Sequence, residues 1–299
     1  MLYQKLLDFA KNEDIPLREN EPLSNHTSFR IGGPARLFAM PRQELQLIAL
    51  LAFAQGHDLK CAVIGNGSNL LVPDDGFDGL VIRTPEGKPR WQEDGTVTVL
   101  SGYSMSRLSA EAAQRGLAGL TFAQGIPGTV GGAVVMNAGA YGGQIADTLV
   151  STRCTTPDGL RVLKGEEHQL SYRHSIYAEH PDWTCIEATF RLTHADPEQL
   201  AAEMADYAQR RRDKQPLEWP SAGSTFKRPE GHFAGKLIED AGLKGFTVGG
   251  AQVSEKHAGF VINRGGATCA DVLSLMEQVS DKVCAQFGVR LEPEVKILK

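Results

Sequence analysis

The sequence lacks the long apolar runs and dense basic tracts that mark membrane-spanning and nucleic-acid-binding chains. No stretch of its 299 residues approaches the roughly 20 apolar residues needed to cross a bilayer. Lysine and arginine number 31 against 36 aspartates and glutamates, which leaves a net charge of −5. A nucleic-acid partner is therefore not expected. The one dense basic run, Arg210–Arg212 with Lys214, is typical of the solvated end of a helix.

Cysteine is scarce and irregularly spaced. The sequence has five cysteines, an odd number, and no pair has the C-x-x-C spacing. Neither a zinc site nor a disulfide framework is expected, and the pattern fits a reducing compartment. The eight histidines form no H-E-x-x-H motif, so we expect no protein metal site. Residues 1–12 predict an amphipathic helix and not a signal peptide, which favours a cytoplasmic location.

Apolar periodicity predicts several helices. Residues 43–55 carry an apolar stripe of Leu45, Leu47, Ile48, Leu51 and Ala52, followed by Gly56 as a C-cap. Shorter or later helices are predicted at 106–114, with Gly116 as a stop, at 198–212, and at 270–287, between Thr268 as N-cap and Gly288 as a stop.

Short β-rich segments predict strands at 60–64, 79–83, 96–100 and 184–192. In the last of these, alternation places Ile186, Ala188, Phe190 and Leu192 on one face, with Cys185 on the other. Strands and helices mix without strict β-α-β alternation, which predicts an α+β fold. The break at residues 194–197 predicts a boundary between domains 1–195 and 196–299.

A first glycine-rich loop, Gly65-Asn66-Gly67-Ser68-Asn69, follows a predicted strand. Small residues let several backbone N–H groups converge on an anion. Leu70 stands where a dinucleotide fingerprint needs its third glycine, and the β-like residues 70–72 follow instead of a helix, so a Rossmann turn is excluded. The residues alone fit an anion-binding loop and a plain tight turn equally well.

A second glycine-rich segment spans residues 125–143, with seven glycines in nineteen residues. Each glycine costs roughly 0.5–1 kcal/mol of chain entropy relative to alanine, so close approach of the backbone to a ligand is the expected compensation. Interleaved valines call for burial and argue against a disordered linker. Two such loops predict two bound phosphates, hence a dinucleotide. The cofactor contacts predicted in this segment are Gly125, Ile126, Pro127, Gly128, Gly131 and Gly132.

Six motifs, in order along nearly the whole chain, resemble the UDP-N-acetylenolpyruvoylglucosamine reductase family. They are residues 26–34 (HTSFRIGGP), 65–69 (GNGSN), 125–132 (GIPGTVGG), 171–175 (SYRHS), 222–227 (AGSTFK) and 291–295 (LEPEV). The resemblance implies an FAD-binding α+β domain of the vanillyl-alcohol-oxidase type over residues 1–195, built of two lobes with the N-terminal helix, and a substrate-binding domain over 196–299. It also implies non-covalent FAD, with NADPH as the electron source.

The implied reaction reduces the enolpyruvyl group of a UDP-amino sugar in peptidoglycan precursor synthesis. Such a reduction needs a hydride, a proton source and a cationic group facing the charge that develops on the substrate. The resemblance assigns the cationic role to Arg173, proton donation to Ser224 and a place beside them to Glu294. Glu294 either polarises the enolpyruvyl carboxylate as a protonated acid or helps to supply the proton.

Each of these residues also has a structural interpretation from the sequence alone. Arg173 fits a surface ion pair, Ser224 a turn or helix cap, and Glu294 a solvated strand residue.

The resemblance also implies contacts to the UDP-sugar, which carries a diphosphate. Lys214 is the predicted diphosphate contact, Arg211 and Lys227 are further candidates, and His257 is predicted to contact the substrate as well. Many members of the family have asparagine directly after the lysine that corresponds to Lys227, whereas this chain has Arg228 there. No insertion fits between residues 198 and 224, so the chain resembles the shorter class, which lacks a tyrosine-bearing closing loop.

Two other functions compete with this one. A sugar or alcohol oxidase of the same fold often tethers its flavin through histidine, and the glycine-rich loops here contain none. A catalytically inactive nucleotide-binding module would have no need of the three candidate catalytic residues. Mass spectrometry for covalent flavin and a visible spectrum distinguish these alternatives.

Overall fold

The computed structural model describes residues 2–299, and helices and strands alternate along it without a fixed order. Its helices are α1 (Leu2–Asn12), α2 (Glu44–Gly56), α3 (Met105–Gln114), α4 (Val130–Val135), α5 (Ile176–Glu179), α6 (Pro197–Lys214), α7 (Ala234–Asp240) and α8 (Cys269–Phe287). None of the helices within residues 2–299 is long and apolar enough to span a membrane.

The strands are short, and many have only two residues. They are β1 (Leu17–Pro22), β2 (Pro34–Ala39), β3 (Cys61–Ile64), β4 (Leu70–Leu71), β5 (Phe77–Arg83), β6 (Arg90–Trp91), β7 (Thr96–Leu100), β8 (Leu117–Ala118), β9 (Gly139–Ala140), β10 (Gly143–Gln144), β11 (Leu149–Thr156), β12 (Gly159–Lys164), β13 (Thr184–Arg191), β14 (Thr193–His194), β15 (Ser221–Ser224), β16 (Thr247–Val248), β17 (Ala251–Val253), β18 (Phe260–Asn263) and β19 (Lys296–Ile297).

The chain divides into two compact units. The larger unit comprises the chain up to Arg18, Leu37–Asn66 and Gly79–Gln209, and the smaller comprises Glu19–Arg36, Gly67–Asp78 and Arg210–Lys299. The first glycine-rich loop is thus divided between the units after Asn66. The boundary at residue 195 that the sequence predicts stays a prediction.

The larger unit is built on an antiparallel sheet in the order β12-β11-β13-β7-β6. One face of this sheet packs with α3, α4 and the second glycine-rich segment, in a core that includes Val97, Leu108, Val134 and Phe190. A second core gathers α1, α2 and strands β2 and β5. The second glycine-rich segment therefore packs directly on one face of this sheet.

The smaller unit packs α7 and α8 on a four-stranded sheet in the order β15-β18-β17-β16. Thr268 caps α8 by accepting a hydrogen bond from the Asp271 backbone N–H at 3.0 Å, and Gly288 ends it in the left-handed region. Both caps confirm the sequence prediction for this helix. Val272, Leu275 and Val279 form its buried stripe.

The predicted stripe of α2 is correct at Leu47, Ile48 and Leu51, which pack in the core, and wrong at its two end residues, Leu45 and Ala52, which are exposed. Leu45 is 73% exposed, and the buried residues are Leu47, Leu50 and Ala54. The apolar residues of α2 itself point to almost every side of the helix, so periodicity alone does not identify the buried face. The predicted C-cap is also wrong, because Gly56 lies inside the helix and His57 caps it.

The predicted face of β13 is also wrong in part. A shift of register between β11 and β13 falls at the pairs Arg153–Glu187 and Cys154–Cys185, so Ile186 is the extra residue of a β-bulge. Cys185 consequently joins the core on the face of Ala188 and Phe190. Ile186 turns to the opposite face and packs in the core of α1 and α2.

A half-buried ion network ties α2 to the central sheet of the larger unit. Arg153 on β11 binds both carboxylate oxygens of Glu44, with Nη2 at 2.7 Å from Oε2. Its Nη2 also lies 3.8 Å from Glu187, which pairs with Arg90. Hydrogen bonding from Arg153 holds the pKa of Glu44 below its usual range, against an opposing effect of burial.

Replacing Glu44 with glutamine tests this network through its pH dependence. Because the folded state lowers the pKa, the stabilisation is present above the ordinary glutamate pKa and is lost as the pH falls through the folded value. We expect Glu44→Gln to lower the free energy of unfolding by about 1.5–3 kcal/mol at pH 7, as for a charged hydrogen bond. The difference from the wild type should shrink below about pH 4.

Denaturant unfolding at both pH values measures the effect, with the exposed Glu19→Gln as a control. An equal loss for Glu44→Gln at both pH values would contradict the assignment.

Candidate functional site

The two glycine-rich loops contact each other inside the larger unit. A Cβ placed on Gly65 would lie 2.3 Å from Oγ1 of Thr129, so only glycine fits there. The side chain of Asn66 donates from Nδ2 to the carbonyl of Pro127 at 2.9 Å. The first loop therefore fixes the backbone of the second through one close contact and one side-chain hydrogen bond.

The second loop leads into α4, whose first turn is glycine-rich. Thr129 caps the helix by accepting a hydrogen bond from the Gly132 N–H at 3.3 Å. The N–H of Gly131 donates to the carbonyl of Ser101 at 2.8 Å, and a Cβ here would lie 2.7 Å from Cβ of Ser101. Gly132 is exposed, and a Cβ there would have only Oγ1 of Thr129 nearby, at 3.6 Å.

The remaining predicted cofactor residues of this loop are held by local contacts. Gly125 takes a positive φ of 74°, and the N–H of Ile126 donates to the carbonyl of Ala123 at 3.0 Å. The carbonyl of Gly128 accepts from the N–H of Met105 at 3.0 Å. Close packing, and not only ligand approach, thus accounts for part of the glycine content.

The second half of the first loop belongs to the smaller unit. Gly67 has a φ of 60°, and a Cβ there would lie 2.2 Å from the carbonyl oxygen of His26. Ser68 is half-buried, and Asn69 donates from Nδ2 to the carbonyl of Glu294 at 3.3 Å. The residues after the loop form β4, as the sequence predicts, and no helix follows.

Ser224 and Glu294 lie on adjacent segments of the smaller unit. Ser224 ends β15 with its side chain exposed, after a register shift between Ser221 and Ser224. Gly223 makes this irregularity possible with a φ of 76°. The backbone N–H of the half-buried Glu294 donates to the carbonyl of Thr225 at 2.8 Å. A bulge thus presents a serine hydroxyl beside a carboxyl-bearing segment.

Arg173 lies in the larger unit, at the tip of a tight turn closed by Ser171 and His174. It takes the left-handed conformation, with a φ of 55°, which is uncommon for a long side chain. Its Nη2 donates to the carbonyl of Gly139 at 3.2 Å, and its guanidinium lies 5.1 Å from the ring of Tyr172. The guanidinium is therefore held against the second glycine-rich segment.

Asn137 was not singled out by sequence reasoning, although it is central to this region. It is 1% exposed and has a φ of 38°. Its side chain bonds the turn that carries Arg173, the hairpin of β9 and β10, and Ala146. An asparagine inside a glycine-rich stretch is the signal available in the sequence, because asparagine tolerates the left-handed region.

Two of the predicted substrate contacts lie close enough to interact. Lys214 ends α6 with an exposed side chain. Burial lowers the pKa of His257, and the charges of Lys244 and Lys214 add smaller lowering effects. The N–H of Gly259 donates to Nδ1 of His257 at 3.1 Å, which leaves Nε2 of the neutral ring as a donor. A cation and a neutral donor therefore share one region of the smaller unit.

The other two candidates occupy different surroundings. Lys227 pairs with Glu292 at 3.3 Å, and both side chains are substantially exposed. Arg211 is half-buried on α6, one turn before Lys214. The C-terminal end of α6 is fixed by Lys256, whose Nζ donates to the carbonyl of Arg212 at 2.6 Å.

Two family models match separate parts of the chain. Residues 35–163 match the FAD binding domain. Residues 215–298 match the model described as UDP-N-acetylenolpyruvoylglucosamine reductase, C-terminal domain. These matches confirm the predicted α+β architecture, with an FAD-binding domain and a separate C-terminal domain, and they confirm FAD as the cofactor.

Whole-chain comparisons point the same way. UDP-N-acetylenolpyruvoylglucosamine reductase of Agathobacter rectalis is 50% identical, over 96% of this chain and 96% of its own. The reductase of Syntrophomonas wolfei is 46% identical, over 99% of each chain. The crystal structure of the reductase from Thermus caldophilus matches with a TM-score of 0.80 and 32% identity, over 95% of this chain and 99% of that one.

The open space at Gly132 gives a test of where FAD meets the backbone. A side chain at Gly131 or Gly67 would collide with the protein itself, so loss of flavin in those variants would be uninformative. Gly132→Leu should keep the fold, because the new side chain enters open space on a helix, but it should block the approach of a phosphate and lower flavin retention.

The flavin-to-protein absorbance ratio after purification measures this effect, and circular dichroism checks the fold. Gly56→Leu is the matched control, since Gly56 is also helical and a Cβ there meets nothing within 4 Å. Full flavin content in Gly132→Leu would place the contact at other residues.

Proposed function

The chain belongs to the UDP-N-acetylenolpyruvoylglucosamine reductase family, and from this membership we propose that it reduces UDP-N-acetylglucosamine enolpyruvate to UDP-N-acetylmuramate with NADPH as the hydride source. It is an FAD-dependent oxidoreductase of peptidoglycan precursor synthesis. The observation that carries the specific reaction is the exposed Ser224, presented by a bulge beside the segment of Glu294.

Free thiols support a cytoplasmic site for the reaction. All five cysteines are unpaired thiols, as expected in a reducing compartment. Burial raises the pKa of Cys61 to about 12 and that of Cys269 to about 11, which keeps both protonated and unreactive at neutral pH.

The proposal includes a division of the chain into a cofactor domain, residues 1–195, and a substrate domain, residues 196–299.

Arg173 stabilises the charge that develops on the substrate. FAD, when bound, supplies the hydride that the reaction requires. Addition of hydride to the enolpyruvyl group spreads negative charge towards its carboxylate, and a guanidinium pairs with a carboxylate in a fixed two-point geometry. Anchoring Arg173 to the carbonyl of Gly139 orients the guanidinium before substrate arrives, so little reorganisation is needed.

Ser224 gives the proton to the substrate carbon that does not receive the hydride. A serine hydroxyl of ordinary acidity is a weak acid, so a neighbour must stabilise it as the proton leaves or must replace the proton. Glu294 is the candidate for that neighbour, since its segment is hydrogen-bonded to the residue after Ser224. The same carboxyl could instead polarise the substrate carboxylate in its protonated form; both roles require it close to Ser224.

The UDP diphosphate is bound by the basic end of α6. Lys214 is exposed there, and the carbonyl of Arg212 in the same turn is fixed by Lys256. Neutral His257 offers a hydrogen-bond donor to the same anion. Lys227 and Arg211 are proposed as further contacts to the UDP-sugar. To bind it, Lys227 must first break its ion pair with the exposed Glu292.

Replacing Ser224 with alanine should separate the two half-reactions. Electron transfer from NADPH needs no proton from serine, so Ser224→Ala should bind FAD and be bleached by NADPH at a rate near that of the wild type. Reoxidation by the UDP-enolpyruvyl sugar should slow by about 10²–10⁴-fold, the usual contribution of a general acid. Stopped-flow absorbance in the flavin band measures each step. Equal slowing of both steps would indicate a structural serine instead.

Replacing Lys214 with alanine should weaken substrate binding selectively. Loss of a charged hydrogen bond to the diphosphate corresponds to ~1.5–3 kcal/mol of binding free energy. Titration with the UDP-sugar measures the affinity, and reduction of FAD by NADPH should change less. Lys11→Ala is the matched control, because Lys11 is also a lysine in the last turn of a helix. Unchanged affinity in Lys214→Ala would indicate that the basic residues 210–214 are only the solvated end of a helix.

A further inference from the structure

The turn that carries Arg173 has a conformation that its own sequence does not favour. Arg173 takes a left-handed φ of 55° at the tip of a turn closed by Ser171 and His174. A long side chain rarely adopts this conformation unless the surroundings impose it. The contacts that hold the turn therefore decide where the guanidinium points.

Asn137 provides the contact at the first residue of this turn. Its Nδ2 donates to the carbonyl of Ser171 at 3.0 Å and to Oε1 of Gln144 at 3.1 Å. Its Oδ1 accepts from the backbone N–H of Ala146 at 2.9 Å. The side chain thus joins the Arg173 turn to the β9–β10 hairpin, and it is 1% exposed, so water does not replace these bonds.

The same stretch of backbone also receives the arginine itself. Gly139, two residues after Asn137, accepts from Nη2 of Arg173 at 3.2 Å. At the other end of the turn, Ser175 donates from Oγ to the carbonyl of Val135 at 2.7 Å. Residues 135–139 therefore hold the turn at both ends and hold the guanidinium between them.

We infer that Asn137 is a positioning residue for the reaction: it fixes the turn at Ser171 so that the guanidinium of Arg173 is aligned with the charge developing on the enolpyruvyl group. The inference rests on the proposed function, in which Arg173 is catalytic. Asn137 touches neither substrate nor cofactor in this role. It acts through the backbone of Ser171 and through the position of Gly139.

Two substitutions separate this role from a merely structural one. Asn137→Asp keeps the shape and the acceptor for Ala146, but an ionised carboxylate cannot donate to Ser171. Asn137→Gly removes all three side-chain bonds but keeps a residue suited to the left-handed backbone. Asn20→Asp is the matched control, because Asn20 is also left-handed, with a φ of 51°, and is exposed.

The expected result is a selective loss. Both Asn137 variants leave buried acceptors without a donor and should unfold at a lower temperature than the wild type, but they should keep their FAD and their rate of reduction by NADPH. Reoxidation by the UDP-enolpyruvyl sugar should slow on the order of 10²-fold, the scale of a small misplacement of a catalytic group. The KM for the sugar should change less than kcat, and Asn20→Asp should match the wild type.

The decisive measurement repeats these substitutions in an Arg173→Ala background. Once the guanidinium is absent, its alignment no longer matters, so Asn137→Asp should add little further loss. The same fold-loss in both backgrounds, or no loss in the single variant, would overturn the inference. A wild type that cannot reduce the UDP-enolpyruvyl sugar would overturn the proposed function and this inference together, whereas a normal wild type with an unchanged Asn137→Asp overturns the inference alone.

Discussion

The close packing of one glycine-rich loop on the other is the constraint on which the conformation of both loops depends. Gly65 has no room for a Cβ beside Thr129, and Asn66 bonds the carbonyl of Pro127, so the first loop fixes the second. Thr129 at the same time caps α4 through the N–H of Gly132. A single side chain thus links the loop contact to the start of the helix. Because Gly132 remains open to solvent, the rigid part of the loop supports the part that can meet a ligand.

Regular elements could be predicted from the sequence where a local signal marks their ends. The α8 helix is defined by Thr268 and Gly288, and both act as caps in the structure. The buried faces were harder. On α2, apolar residues occur on nearly every side, so Leu45 was assigned to the core although it is exposed. On β13, a bulge reverses the faces of Cys185 and Ile186. Both errors have one cause: the face depends on neighbours distant in sequence, and alternation carries no information about them.

The candidate site was predictable to a similar extent and for related reasons. The motifs predict the candidate catalytic residues, and two of these, Ser224 and Glu294, lie on adjacent segments. The reason for individual glycines was not predictable. Gly67 and Gly131 are predicted as cofactor contacts, and the structure adds a second reason for glycine at both positions, because a Cβ would collide with His26 and with Ser101 respectively. The role of Asn137 in holding this turn could not be predicted from the sequence, because its hydrogen-bond partners lie in several segments. No local pattern predicts a hydrogen bond from Asn137 to Ser171.

The groups proposed for catalysis project from irregular backbone that regular structure holds in place. Ser224 follows a bulge that depends on the positive φ of Gly223, and Arg173 occupies the left-handed region itself. A strained residue persists only where surrounding contacts outweigh its cost. For Arg173 those contacts are hydrogen bonds from buried side chains, whose strength grows as water is excluded. The same bonds that offset the strain also limit the motion of the guanidinium. The hydrogen bonds of Asn137 therefore stabilise the turn and limit the orientations of the Arg173 guanidinium at the same time.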